Sequence, residues 1–510
     1  MAEKENEPSH DAVNLKLVLY TLGNLLICLS AAMLCPLLIA FYRRTADGGS
    51  DLQAFVLSFC ITFIVGLTLR LTTKSNQGLG NKEGVAVVSL GWAVTALFGS
   101  LPYLFDRVFA QVGRGWLVEF SFCYFEAMSG FTTTGATVLS EIEHLTHAIL
   151  FWRSLTHWLG GMGIVVLALA ILPMLGVGGM QLYRAEVPGP QKDRLTPRIA
   201  QTAKLLWGVY VLISAVEMLL LWLGGMTWFD AICHTFGTMA TGGFSTQNLS
   251  IGQYNSVYFD VVIIVFMFIA GTNFSLHYRA LRGDFKSYVR DPEFRFYGLT
   301  LFLCIGLIVW NTMTARVGDQ VVFDSFGTAA RYASFQVVSI ITTTGYGTFN
   351  FEQWPALSQF VLVILMFFGG CAGSTGGGMK HVRLLLLIKQ GYVEIKRLIL
   401  PHAVLPVKLG DRVVPQEVMA HILGFFFLFI GIFAIVTCVM ATLGLDLISA
   451  AAATIATMGN IGPGLGSVGP IDNYAHIPTL GKFILSFCML LGRLELYTVL
   501  VLFAPELWRR

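Results

Sequence analysis

Charge is what this sequence has least of. Asp, Glu, Lys and Arg make up 12% of its 510 residues, about half of what a soluble chain of this length spreads over its surface. That excludes an ordinary multidomain soluble protein, and an apolar content of 55% excludes disorder. None of the nine cysteines forms a CxxC pair, and all lie in apolar stretches, which favours packing over disulfide, metal or redox roles. The opening MAEKENEPSHD has no basic region leading into a short apolar run and cleavage site, so no cleaved signal peptide is expected. No GxxxxGK[ST] motif occurs, so this chain is not expected to bind nucleotide itself, and no nucleic acid partner is expected. What is present is apolar: mean hydropathy +0.69, with 53 Gly and 39 Phe. Small residues for close helix packing and large ones for lipid contact fit an integral membrane protein.

A helix needs about 20 apolar residues to cross a bilayer. Runs of that length lie near 15–42, 52–71, 86–106, 148–176, 202–224, 257–279, 296–313, 357–390, 416–443 and 477–503, which predicts ten transmembrane helices. Shorter apolar stretches near 117–131, 228–240, 326–341 and 446–457 cannot cross; they read as re-entrant segments, tolerated where buried in protein or lining a cavity. With the N-terminus inside, most Lys and Arg fall in inner loops around 70–82, 184–204, 279–295 and 380–412. The outer side keeps Arg43, Arg44, Arg107, Arg114, Arg153, Arg316, Arg331 and Lys482. The asymmetry predicts both termini in the cytoplasm and all four short segments outside.

Each short stretch runs into a Thr/Gly cluster: SGFTTTGAT (129–137), MATGGFST (239–246), ITTTGYGT (341–348) and ATMGNIG (456–462). Aligned on one glycine, they pair Thr134-Gly135, Thr241-Gly242, Thr344-Gly345 and Met458-Gly459, a unit repeated four times. The expected fold is therefore an all-α membrane protein with four covalently linked helix–pore loop–helix repeats (76–198, 199–290, 291–412 and 413–510) around a pseudo-fourfold central pore. A two-helix N-terminal leader (1–75) precedes them. The third cluster, Thr343-Thr344-Gly345-Tyr346-Gly347, differs at one position from TVGYG, the potassium-channel filter whose carbonyl oxygens replace an ion's water shell. Glycine permits the backbone angles that aim successive carbonyls one way. Hydroxyls and carbonyls are neutral ligands suited to a monovalent cation that must leave again, and the strands hold no carboxylate for a divalent one. The candidate ion-binding residues are Thr133, Thr134, Gly135, Thr241, Gly242, Gly243, Thr343, Thr344, Gly345, Tyr346, Thr457, Met458, Gly459 and Asn460. The short helices would turn their negative C-terminal ends toward the centre. Glu119, Asp230, Asp324 and Asp446 stand near the helix starts, either capping them or gathering cations.

Two features lie beneath the clusters. GGCAGSTGGG (369–378) has six glycines in ten residues and cannot hold a regular helix well. Such a break in mid-membrane lines a cavity, or else marks close helix packing. Arg493 is a charge deep in a span, which either faces a cavity or pairs with an acid such as Glu495. Lys380 reads as a cytoplasmic-edge residue, and His157, His234 and His277 as packing or hydrogen-bonding residues.

These motifs resemble the Trk/Ktr/HKT superfamily of potassium uptake proteins, and within it the bacterial TrkH-type pore subunits, over essentially the whole chain. The resemblance implies filter glycines at Gly135, Gly242, Gly345 and Gly459. Glycine at all four implies potassium and rubidium over sodium, with potassium held at Thr134, Gly135, Thr241, Gly242, Thr344, Gly345, Met458 and Gly459; the divergent MGNIG implies a looser filter than in tetrameric channels. It implies a gate built from Gly370, Gly373, Ser374, Thr375, Gly376 and Gly377, with Arg493 projecting into the pore below the filter. It implies no covalently bound cofactor, a homodimer with one pore per protomer, and a cytoplasmic TrkA-type ring of nucleotide-binding subunits docking on the basic loops 184–204, 279–295 and 380–412. The expected place is the bacterial cytoplasmic (inner) membrane. The expected function is potassium uptake through a selective, gated, channel-like pore, driven by a membrane potential worth about 2.3 kcal/mol per charge per 100 mV. The alternative is potassium symport with proton or sodium, which needs acidic or His residues along the path. An enzyme would instead show paired carboxylates or metal-spaced His and Cys, and would leave the fourfold repeat unexplained.

Overall fold

The computed structural model describes residues 13–45, 47, 49–74, 80–110, 115–170, 195–318 and 320–508. Arg114, Arg184, Lys192 and Arg194, and the 171–176 end of the fourth expected span, lie outside the described residues.

Helices α1 (Leu15–Arg43) and α2 (Ser50–Thr72) pack on each other. A Cβ at Gly23 would stand 2.8 Å from the Gly66 carbonyl oxygen, so glycine is what lets the two backbones approach. Leu38, Phe41, Ile64 and Leu71 remain exposed on this pair, an apolar surface suited to lipid.

Four blocks follow. The first holds α3 (Asn81–Gly99), α4 (Leu101–Phe105), the short α5 (Trp116–Phe131) and α6 (His147–Ala170). The second holds α7 (Leu195–Leu223), the short α8 (Trp228–Met239), α9 (Val257–Ala270) and α10 (Phe274–Leu281). A connecting helix α11 (Lys286–Arg290) leads to the third: α12 (Pro292–Thr314), the short α13 (Phe326–Ile341), α14 (Ala356–Met366) and, after loop 367–380, α15 (His381–Ile399). The fourth holds α16 (Gln416–Thr442), the short α17 (Leu447–Met458), α18 (Thr479–Arg493) and α19 (Tyr497–Leu500). The helix after each short helix packs on the short helix of another block: α6 on α8, α9 on α13, α14 on α17, and α18 back on α5.

The spans differ from ten uniform crossings. Six described helices are long and apolar enough to cross alone, and eight if the bent pairs α9–α10 and α18–α19 each count as one. The expected span 257–279 bends by 101° between α9 and α10. Gly271 caps the end of α9, and the Asn273 side chain caps α10 by accepting from Ser275 N at 2.9 Å. The backbone N–H groups of Cys371 and Thr375 donate to the carbonyls of Gly271 (2.8 Å) and Ala270 (3.3 Å), and Phe274 N donates to Gly373 O (3.1 Å). Hydrogen bonds with loop 367–380 thus replace the helix's own at the break. The expected span 477–503 bends by 116° after Arg493, through positive φ at Glu495 (58°) and Leu496 (29°). The expected span 357–390 stops as helix at Met366 and resumes at His381.

Of the four acidic residues near the short helices, only Asp446 caps its helix directly, accepting from Ser449 N at 3.2 Å. Thr227 caps α8, and Asp230 accepts from the Thr227 hydroxyl at 2.7 Å in return. Glu119 lies within the first turn of α5, and Ser325 rather than Asp324 occupies the cap of α13.

Candidate functional site: a ring of four helix ends

The four short helices end in the same way. Thr133, Thr241, Thr343 and Asn460 each donate their backbone N–H three residues back, to Gly130, Thr238, Ile340 and Thr457. The next residues, Thr134, Gly242, Thr344 and Ile461, each donate five back, to Ser129, Gly237, Ser339 and Ala456, at 2.8–2.9 Å. The first residue of each set is left-handed, with φ of 52°, 53°, 61° and 53°. That conformation costs a non-glycine residue on the order of 1 kcal/mol. Its recurrence at three Thr and one Asn marks a backbone shape the site demands. Two residues on, Gly135, Gly243, Gly345 and Gly462 have φ of 77°, 79°, 82° and 97°.

This geometry corrects the sequence register in two blocks. Gly242 occupies the place of Thr134, and Gly243 is the equivalent of Gly135. Gly459 is the helical cap of α17 at φ −80°, equivalent to Thr132, and the counterpart of Gly135 is Gly462. Thr457 and Met458 belong to the helix itself, and the Thr457 hydroxyl bonds back to Ala453 O and Thr454 O. Asn, which tolerates the left-handed region, replaces the Thr on which the alignment relied. Tyr346 points its ring away from the strands: its hydroxyl donates to His234 O at 3.0 Å, and its carbonyl accepts from the Ser339 hydroxyl at 2.7 Å.

The glycines pack in a cycle. A Cβ at Gly135 would run into the Gly242 carbonyl oxygen, at Gly243 into that of Thr344, and at Gly345 into that of Ile461. At Gly462 it would meet the carbonyl oxygen of Thr134 at 2.7 Å, which closes the cycle on the first strand. A cavity of about 70 Å³ lies against all four glycines and is bordered by Arg153 and Asp472. At the left-handed position that precedes the strands, the Thr133 hydroxyl and the Asn460 amide oxygen are buried without hydrogen-bond partners. Among the described residues no three His, Cys, Asp or Glu side chains group as metal ligands.

Loop 367–380 lies against the C-terminal ends of three short helices. The Thr375 hydroxyl donates to Met239 O (3.0 Å) and Ala270 O (3.2 Å), and Gly377 N donates to the Thr343 hydroxyl (2.8 Å). A Cβ at Gly376 would lie 3.0 Å from Thr342 O, and one at Gly377 would lie 2.9 Å from Gly459 O. Gly373 has a positive φ of 76° and packs on Asn273 at the α9–α10 break. Gly370 lies against Gly271 O, while the Ser374 hydroxyl stays within the loop on Cys371 O. Glu293 staples both flanks, accepting from Ala372 N (2.7 Å) and Val382 N (2.9 Å). Arg493, 2% exposed, donates to Thr375 O (2.6 Å) and to Gly160 O on α6 (2.8 Å). It makes no ion pair with Glu495, which pairs with Arg383. Lys380 is buried and reaches Gly376 O, so it is part of the loop rather than an edge residue.

The profile of the TrkH family, described as a cation transport protein, matches residues 51–510. The chain belongs to the TrkH family. It is 44% identical over 493 residues to the Trk system potassium uptake protein TrkH of Salmonella typhimurium, covering 96% of this chain and 98% of that one. It is 34% identical to the Trk system potassium uptake protein TrkG of Escherichia coli, over 97% of this chain and 99% of that one. The crystal structure of the potassium transporter TrkH from Vibrio parahaemolyticus superposes with a TM-score of 0.87 at 37% identity, covering 98% of this chain and all of the other. The chain is thus a multi-pass helical membrane protein of a transport family, not an enzyme.

Sequence reasoning missed several participants, Glu293 and Gly462 among them. Arg153 and Lys482, assigned to outer loops by charge, are both buried. The Tyr474 hydroxyl donates to Gly462 O at 2.6 Å, and Asn273 sits at the unforeseen helix break. His157, His234 and His277 all form hydrogen bonds. The signal for Gly462 was present in the strand's second glycine, and would have emerged from counting forward from the helix end.

Proposed function

We propose that this protein takes up potassium through a selective, gated, channel-like pore. The observation that carries this reading is the closed cycle in which each strand glycine abuts a carbonyl oxygen of another strand. Four repeats surround a pseudo-fourfold axis, the two-helix leader stands outside them, and potassium passes among the carbonyl oxygens of Thr134, Gly242, Thr344 and Ile461. Oxygens without hydrogen-bond donors, as at Thr133 and Asn460, suit an ion that has shed its water. The helix C-termini below add partial negative charge.

Loop 367–380 is the gate. In the conformation described it sits under the strands, held by Thr375, Glu293 and Arg493, and the Arg493 charge opposes a cation there. Opening requires the loop to leave the Met239, Ala270 and Thr343 contacts. A cytoplasmic nucleotide-binding subunit of TrkA type drives that step, and the protein works as a homodimer in the bacterial cytoplasmic membrane with both termini inside. The exposed basic residues Arg279, Arg282 and Lys396 lie in the segments available to such a partner. The relatives' names, which place them in the Trk potassium uptake system, support the choice of ion.

Purified protein in liposomes tests the reading. Rubidium should enter down its gradient without any proton or sodium gradient, and sodium should enter far more slowly. Flux that strictly requires a proton or sodium gradient would replace the pore with a symporter.

A further inference from the structure

Arg153 on α6 is 1% exposed, and the carboxylate beside it, Glu126 on α5, is fully buried. Arg153 Nε donates to Glu126 Oε1 at 2.9 Å and one terminal nitrogen donates to Ser245 O at 3.1 Å. The guanidinium lies 4.1 Å from the centre of the Phe244 ring. Glu126 in turn accepts from the Thr137 hydroxyl and from Val138 N, each at 3.0 Å. Thr137 and Val138 continue the first strand just beyond Gly135; Phe244 and Ser245 continue the second just beyond Gly243. One ion pair therefore ties the outer ends of two neighbouring strands to two helices, and Arg153 also borders the outer cavity.

The other blocks hold their strands differently. The residues matching Glu126, counted back equally from the ring glycine, are His234, Gln336 and Ala453. His234 Nε2 bonds the Ser245 hydroxyl at 2.9 Å and Gln336 donates to Phe349 O at 3.3 Å. Ala453 offers nothing, and Tyr474 serves Gly462 instead. Among the described residues, only the first block spends a charge pair on this task.

We propose that Arg153 and Glu126 are positioning residues for ion selectivity: they fix the separation of the first and second strands at the outer mouth of the ring, and so set its preference for potassium or rubidium over the smaller sodium ion. The proposal rests on the pore reading above. A carbonyl cage discriminates by the number and reach of its oxygens, so it depends on what holds the strands apart. A hydrogen-bonded charge pair in a low-dielectric interior is a stiff spacer. The planar fork of Arg engages Glu126 and Ser245 from two separate nitrogens held at a fixed span, which the single ammonium of Lys does not reproduce.

The test measures rubidium and sodium fluxes into liposomes for the wild type, Arg153→Lys, Glu126→Gln, Asp260→Asn and Gly345→Ser. Asp260 pairs with Arg331 at 2.6 Å, a partly buried ion pair that joins α9 to α13; it serves as the control for stability alone. The rubidium-to-sodium ratio should fall roughly three- to tenfold in Arg153→Lys and Glu126→Gln, the change one lost positioning hydrogen bond carries. Asp260→Asn should lower the melting temperature and leave the ratio unchanged. If Gly345→Ser shifts the ratio while Arg153→Lys and Glu126→Gln both keep the wild-type value, the strut is overturned and the pore reading stands. If Gly345→Ser leaves the ratio unchanged too, the pore reading falls with it. A ratio shifted equally by Asp260→Asn would reduce the pair to general stability and overturn its selectivity role.

Discussion

Gly462→Ala against Gly459→Ala is the sharpest test of the register. At Gly462 the backbone has φ of 97°, where an L side chain costs about 1–3 kcal/mol. The new methyl would also stand 2.7 Å from Thr134 O and 2.8 Å from the Gly135 carbonyl carbon. Both lie in the cycle, so relief of the clash must move its carbonyl oxygens. If about 1.4 kcal/mol of that strain reaches ion coordination, discrimination changes tenfold. At Gly459 the backbone is helical, with φ −80° and ψ −11°, and the methyl would press on Met366 O at 2.8 Å and the Ile461 side chain at 2.9 Å. That strains packing beneath α14 and spares the ring. In liposomes, Gly462→Ala should therefore lower the rubidium-to-sodium flux ratio about tenfold in folded protein. Gly459→Ala should lower yield or melting temperature with the ratio preserved. The reverse pattern, selectivity lost at Gly459 and intact at Gly462, would refute the geometric register and restore the alignment on Thr-Gly pairs.

Arg493→Gln removes charge-assisted bonds to Thr375 O and Gly160 O, each worth about 1.5–3 kcal/mol; rubidium influx without a regulatory partner should rise at least several-fold, and a folded variant with reduced influx would contradict a restraining role. Glu293→Gln weakens the staple on Ala372 N and Val382 N by about 1–2 kcal/mol, so basal influx should rise and the melting temperature fall, and no change in either would remove Glu293 from the gate. Tyr346→Phe loses one hydrogen bond to His234 O, about 1 kcal/mol; flux should persist with a modest loss of selectivity, and complete loss of flux in folded protein would mean the hydroxyl does more than brace the strand.

Much of the membrane architecture was legible because hydropathy reports lipid contact locally. The long runs at α1, α2, α7, α12 and α16 need no partner to be recognised. The helix break at loop 367–380 was legible for a similar reason, since six glycines within 369–378 defeat a helix whatever surrounds them. The bend at Gly271–Asn273 was not, because the local Asn273 cap is completed by hydrogen bonds a hundred residues away in sequence, donated by Cys371 N and Thr375 N and accepted by Gly373 O. The same holds for Arg153. The charge bias placed it in water, but Glu126 and Ser245 supply a buried site visible only once the chain has folded. In the fourth strand the alignment took the first glycine, after Met458, as the match to the Thr-Gly pairs, whereas the site selects backbone shape. Asn460 supplies that shape without the Thr, and Ile461 contributes only its carbonyl.

The central claim is that four strand carbonyls, one from each block, surround a single cation path. Anomalous diffraction from crystals grown in rubidium tests it most directly. The account predicts a rubidium peak within coordinating distance of the carbonyl oxygens of Thr134, Gly242, Thr344 and Ile461. A peak coordinated elsewhere in the membrane region, with none inside that cycle, would contradict it.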